Sequence, residues 1–276
     1  MPRRPAVIVR LAPAVLAAII LALGVHVLQG HAAEGVALLP DLEQEVPANL
    51  VVSRAASGNE YLLGFRSASR NVGDGPLIIS GHRFDRGMET MVADQEIQQR
   101  GAASQVVQDV GRLKYVVSPD HRHWHLLGFE RYELRKPGAT AALVRDRKTG
   151  FCLGDRYAVA DRSLPARAPA PVYTSRCGLG QPALLGVGEG ISVGYGDDYA
   201  ANLEGQYLPL TGLPNGRYVL VHRVNVTRRL KELRYDNNAA STLLQLRWKG
   251  GVPHLTVLAK CPDSADCRRP NLPRAP

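Results

Sequence analysis

Apolar positions along the chain come in short clusters separated by turns rich in glycine, proline and asparagine. Stretches with an apolar residue every three or four positions, the mark of an amphipathic helix, are scarce. Residues 60–70, with Leu62, Leu63 and Phe65 at their centre, predict a strand. Asn71-Val72-Gly73-Asp74-Gly75-Pro76 predicts a turn and residues 77–80 a second strand, so a hairpin is expected there. Residues 89–99 fit a helix or a strand, and strand is the reading taken. Residues 114–117 and 121–134 read as extended, interrupted by Ser118-Pro119-Asp120. Short strands are expected at 141–145, 151–153 and 206–210, and longer ones at 217–226 and 239–248. The last two are set off by turns at Pro214-Asn215-Gly216 and Tyr235-Asp236-Asn237-Asn238. Residues 38–51 read as a connection, 162–172 (Pro165, Pro169, Pro171) as an irregular loop, and 178–196 as a glycine-rich loop. The pattern predicts a mostly β chain, an antiparallel β-sandwich-like single domain with long loops over 38–258, followed by a polar tail over 259–276.

The N-terminus adds a second segment. Arg3, Arg4 and Arg10 precede an apolar run over 11–28 broken only by His26, and His31-Ala32-Ala33 ends it in small residues. That order predicts a signal peptide over 1–33, cleaved after Ala33. An uncleaved membrane anchor is the alternative, because the run reaches the roughly 18 residues a spanning helix needs. Either way the domain is expected outside the cytoplasm, secreted or at the cell surface. Four cysteines, Cys152, Cys177, Cys261 and Cys267, fit two disulfides in such a compartment. Three pairings exist, of which Cys152–Cys177 with Cys261–Cys267 is the simplest. No CxxC spacing occurs, which argues against a thiolate zinc or thioredoxin-like site. The formal charge is +9. Several of the arginines fall in the two terminal segments and no aromatic-interleaved basic stripe is present, so nucleic acid is not an expected partner.

The chemistry concentrates in Asp120-His121-Arg122-His123-Trp124-His125, which holds three of the eight histidines. On a strand, alternate side chains share one face about 6.5–7 Å apart, close enough for three imidazoles to meet one ion. Arg122 and Trp124 then face the other way, with Trp124 in the core. Three nitrogens without a thiolate suit tetragonal Cu(II), and zinc is the alternative. An exposed polar strand without metal is the bland reading, and strict alternation of three ligands weighs against it.

These histidines, with Phe129-Glu130-Arg131-Tyr132-Glu133-Leu134 after them, resemble the copper-binding segment of the lysyl oxidases. Further segments follow in the family's order: Lys148-Thr149-Gly150-Phe151-Cys152-Leu153-Gly154-Asp155, Gly190-Ile191-Ser192, Asp197-Asp198-Tyr199-Ala200, Gln206-Tyr207, Gly216-Arg217-Tyr218 and residues 232–238. Upstream, Leu39-Pro40-Asp41-Leu42 also matches, so the likeness covers about 38–247. The resemblance implies a copper-dependent amine oxidase that turns primary amines, peptidyl lysine among them, into aldehydes with O2, releasing ammonia and hydrogen peroxide. It implies His121, His123 and His125 as copper ligands, Lys148 and Tyr199 joined as lysine tyrosylquinone, and Asp197 as an acid/base group. The partners implied are an amine or lysine-bearing substrate and O2, with a membrane only through an uncleaved N-terminal segment. Animal members carry more cysteines near these motifs, and Tyr195 stands where one of them would be, so a compact, bacterial-type member is expected. Local sequence also allows Lys148 as part of a solvated charged turn and Tyr195 or Tyr199 as packing tyrosines. A non-catalytic exported copper-binding β-sandwich and, more weakly, a zinc hydrolase are the competing functions.

Overall fold

In a computed structural model the described residues are 35–118, 121–146, 148 and 150–269. The leader or anchor call on 1–33, Pro119-Asp120, Arg147, Thr149 and the last part of the tail lie outside them. The fold described is that of the unit spanning residues 33–276.

The described residues form strands and no helix. In chain order these are β1 (Val36–Leu38), β2 (Leu42–Gln44), β3 (Ala48–Arg54), β4 (Tyr61–Asn71), β5 (Leu77–His82), β6 (Thr90–Arg100), β7 (Gln105–Val117), β8 (Arg122–Leu127) and β9 (Glu130–Arg135). There follow β10 (Val144–Arg145), β11 (Gly150–Phe151), β12 (Tyr157–Ala158), β13 (Gly186–Ile191), β14 (Tyr195–Tyr199), β15 (Tyr207–Pro209), β16 (Gly216–Val224), β17 (Ala239–Lys249) and β18 (Val252–Cys261). All pairings are antiparallel and build three sheets. One runs β11-β8-β7-β6-β5-β13 with β1 beside β6, the second β10-β9-β16-β17-β18, and the third β12-β14-β4-β15 with β2 and β3 also on β4. The mostly β expectation holds.

Apolar faces of all three sheets meet in one core, where Phe65, Leu77, Met91, Leu113, Trp124 and Leu244 are fully buried. Burying side chains of this size contributes roughly 1.5–3 kcal/mol each. Alternation along β16 supplies two cores. Tyr218, Leu220 and Val224 enter the main one, while Val219 and Val221 join Leu243, Ala259 and Cys267 in a second. Cysteines pair as nearest neighbours, Cys152–Cys177 and Cys261–Cys267.

Three local expectations are overturned. No hairpin joins β4 to β5; the two strands lie in different sheets. The reason is Asn71, fully buried, whose amide donates to Gly75 O (2.9 Å) and Ile191 O (3.0 Å) and whose carbonyl accepts from Asp41 N (3.1 Å) and Gly73 N (3.0 Å). It holds a crossing between sheets. A Cβ at Gly75 would lie 2.1 Å from Leu38 O, so the crossing packs too tightly for a side chain. The connection at 38–51 contains β2 and most of β3, both paired to β4. The glycine-rich loop at 178–196 contains β13, laid on β5, and the first residues of β14. Those pairings are made with strands distant in sequence, and they outweigh weak local propensity. The extended 121–134 stretch also breaks at Gly128, which takes φ +70° between β8 and β9.

Glu232 ties the 225–238 region to β2. Its carboxylate accepts from Leu42 N (2.8 Å) and Asn238 Nδ2 (2.8 Å), and from Asn225 Nδ2. Burial raises it from the ordinary carboxylate range to about 7, against these hydrogen bonds. The folded state therefore holds this proton more tightly than the unfolded chain. The resulting stability is fully present below the unfolded pKa near 4.5 and lost as pH rises to about 7. Melts from pH 4.5 to 7.5 should show this fall in the native protein and a flatter profile in Glu232→Gln.

Candidate metal centre

Strand β8 lies between β7 and β11. Its register sets His123 opposite Val116 and His125 opposite Lys114, with Gly150 opposite Leu127 on the far side. His121 sits one residue before β8 in a turn where Ser118 N donates to His121 O at 2.7 Å. The alternation then works as the spacing predicts. Trp124 turns to the opposite face and is fully buried, its indole N–H donating to Gln181 O at 3.2 Å and the Arg83 guanidinium 4.7 Å above its ring.

The three imidazoles converge. Ring centres are 5.4 Å apart for His121 and His123, 5.1 Å for His121 and His125, and 4.6 Å for His123 and His125. One ligand nitrogen from each lies within 4.8 Å of the others. His121 and His125 are buried and His123 half-buried. Burial and the neighbouring histidines push His123 down to about 4 and His125 to about 2, with Lys148 adding to both. The rings stay neutral at ordinary pH, and neutral imidazole is the ligating form.

Strand β11 brings the second group alongside. A Cβ at Gly150 would lie 2.8 Å from His125 Cβ, so glycine permits this approach. The Lys148 amine sits 4.1 Å from the centre of the Tyr199 ring and 5.0 Å from that of Phe151. Its Nζ is buried with no hydrogen-bond partner among the described residues. Burial lowers the amine to about 8, against the pull of Glu130, Asp197, Asp146 and Glu204. The Tyr199 hydroxyl lies 2.9 Å from Asp197 Oδ2 and 3.0 Å from Cys152 O. Burial first, then the Asp197 charge, raises the phenol. Burial likewise raises Asp197, opposed by Arg156, whose Nε is 3.7 Å from Oδ1. Tyr195, the rival tyrosine, packs in β14 against the Arg167 side chain.

Two groups given no role from sequence stand behind these. Glu130 is fully buried in β9, and its Oε2 accepts from Ser67 Oγ and the Tyr132 hydroxyl, both at 2.6 Å. Asp155 accepts from Ser192 N and Oγ, both at 2.7 Å, and from Val172 N at 2.7 Å, which fixes the loops around the site. Glu130 was detectable in principle: it and Tyr132 share the face of a strand that alternation turns inward.

A cleft of about 380 Å³ opens over His121, His123, Asp197 and Tyr199. A smaller space of about 120 Å³ reaches His121, His125 and Lys148 from another side.

A family model described as Lysyl oxidase matches residues 90–252, more than half of the 276. The chain belongs to the lysyl oxidase family. Protein-lysine 6-oxidase of Rattus norvegicus is similar, 26% identical over 131 residues. That alignment takes in 47% of this chain and 28% of the rat protein, so the chain spans under a third of that relative's length. In this lysyl oxidase family member the matched span includes His121, His123, His125, Lys148, Asp197 and Tyr199; Leu39-Pro40-Asp41-Leu42 lies outside it. The residues fit the copper that the family implies. They offer three neutral imidazoles without a thiolate, and the buried His125 Nε2 has no hydrogen-bond partner among the described residues. They also fit a cofactor built from a lysine and a tyrosine, since amine and ring are already in contact.

Proposed function

We propose that this chain is an extracytoplasmic copper-dependent amine oxidase of compact, bacterial type that acts on primary amines, peptidyl lysine among them. His121, His123 and His125 hold the copper, and Lys148 and Tyr199 form lysine tyrosylquinone. The reading rests above all on the Lys148 amine lying 4.1 Å from the Tyr199 ring centre beside three converging imidazoles. The arginine-flanked apolar N-terminal run, as signal or anchor, and two disulfides support an oxidising compartment.

When bound, copper and the quinone supply the redox chemistry by which O2 turns the amine into an aldehyde, with ammonia and hydrogen peroxide released. The chain's own residues do the rest. Burial holds part of the Lys148 population unprotonated, which is the nucleophilic form. Phe151, 5.0 Å from the Tyr199 ring in edge contact, fixes the plane of that ring. Asp197 lines the cleft and touches the Tyr199 hydroxyl, so it is the carboxylate placed to take a proton from the substrate carbon beside the amine. Arg156 favours the ionised form of Asp197 against the cost of burial.

Peptide mass spectrometry after copper loading in air tests the reading. A joined Lys148–Tyr199 peptide, with amine-dependent peroxide release, is the expected result. Two unmodified peptides from copper-replete protein would instead favour a copper-binding module without catalysis. Asp197→Asn should retain copper and lower kcat by about 10²–10⁴-fold, the range general acid–base groups supply. Steady-state peroxide assays beside metal analysis read both.

A further inference from the structure

The cleft over Tyr199 has a charge pattern that bears on what enters it. This rests on the amine oxidase reading and adds a substrate class to it. Arg156 follows Cys152 by four residues and Arg176 directly precedes Cys177, so the Cys152–Cys177 bridge holds both cations at one rim. Arg156 donates to Ser175 O at 3.1 Å, which orients its guanidinium along that rim. Arg176 is exposed and makes no ion pair among the described residues.

The acids of the cleft are already engaged. Asp198 Oδ2 pairs with Arg66 Nε at 3.0 Å, and Asp197 is buried against the Tyr199 hydroxyl and Arg156. What remains facing solvent is cationic, on a chain of net charge +9. Leu179 and Leu203 line the same cleft and offer an apolar path for a chain of methylenes. At about 380 Å³ it falls in the size range of ligand pockets, roughly 300–1,000 Å³, and the 120 Å³ space near Glu204 does not.

The geometry points to peptidyl lysine with carboxylate side chains close by in sequence as the favoured substrate. The flanking acids pair with Arg176 and Arg156 while the lysyl methylenes run past Leu179 and Leu203 toward Tyr199. A lysine set among other cations would meet the same rim as a repulsive field, stronger at low salt.

Three fluorescent peptides with one central lysine, flanked by Glu, Gln or Lys, test this on the copper-loaded full chain. Anisotropy gives binding and peroxide release gives turnover, each at low and high salt. Two rim ion pairs predict about tenfold tighter binding, and a correspondingly lower KM, for the Glu-flanked peptide than for the Lys-flanked one. The gap should shrink with salt, and Arg176→Glu should narrow or invert the ranking, with a thermal melt confirming that the variant folds. Equal binding of all three, or preference for the Lys-flanked peptide, overturns the inference. Acid-preferring binding without peroxide from any peptide would sink the oxidase reading while supporting the rim's ligand class.

Discussion

Lys148→Ala, loaded with copper in air, is expected to keep its metal and lose amine-dependent peroxide release by more than about a thousandfold, because the covalent nucleophile is gone. The amine is the group nearest the Tyr199 ring face, and no other lysine lies over that ring. Mass spectra should show the Tyr199 peptide without a partner. Lys148→Arg should fail equally, since a guanidinium keeps its proton in proteins and cannot serve as the nucleophile. The native protein offers a matching pH signature. With the amine at about 8, its unprotonated fraction grows about tenfold between pH 7 and pH 9, and the rate of cross-link formation should follow it. A rate that is flat over that range, or a Lys148→Ala protein that still turns over amines, would remove Lys148 from the proposal.

His125→Ala should weaken copper binding by more than about a hundredfold, since losing even an outer-shell partner of a metal ligand costs 10–100-fold. His125 is the most deeply buried of the three in its titration, and its Nε2 has no hydrogen-bond partner among the described residues. Without the ion Tyr199 should stay an ordinary tyrosine, so metal content and quinone absorbance fall together. The low pKa values of the rings add a test in the native protein. Lowered values mean the neutral ligand form persists into acid, so affinity should hold from pH 8 down to about 5 and fall only near about 4, where His123 takes a proton. Chelator competition across that range measures it. A midpoint near 6.5 would mean the imidazoles titrate as exposed groups.

Much of the fold was legible where a strand carries its own pattern. The run Tyr218-Val219-Leu220-Val221 reads as a strand buried on both faces, and it lies between two cores. His121, His123 and His125 alternate with Arg122 and Trp124, and period two is enough to place the rings together. Legibility ended where distant partners decide. Asn71-Val72-Gly73 has turn chemistry, yet nothing local says that the Asn71 amide will bond Ile191, 120 residues on. Residues 186–191 carry three glycines and become a strand only because the edge of β5 is free to receive them. The site divides in the same way. Lys148 follows Arg145-Asp146-Arg147 and looks like a solvated turn, since burial under Tyr199 is a tertiary property. Glu130 stands in a motif with a family likeness, but its contact with Ser67 of β4 is set by the docking of two sheets.

The Cys152–Cys177 bridge reaches further than its own loop. Cys177 O accepts a hydrogen bond from Trp124 N at 2.9 Å, on the back of the histidine strand, and Cys152 O lies 3.0 Å from the Tyr199 hydroxyl on the other side. One covalent link thus spans from the scaffold of the imidazoles to the phenol itself. Reducing agents would loosen both supports at once, leaving every ligand and reacting group in the chain but no longer aligned. The chemistry proposed for this chain is in that sense tied to where it is made: folded among thiols, the same sequence would carry all its parts and assemble them poorly.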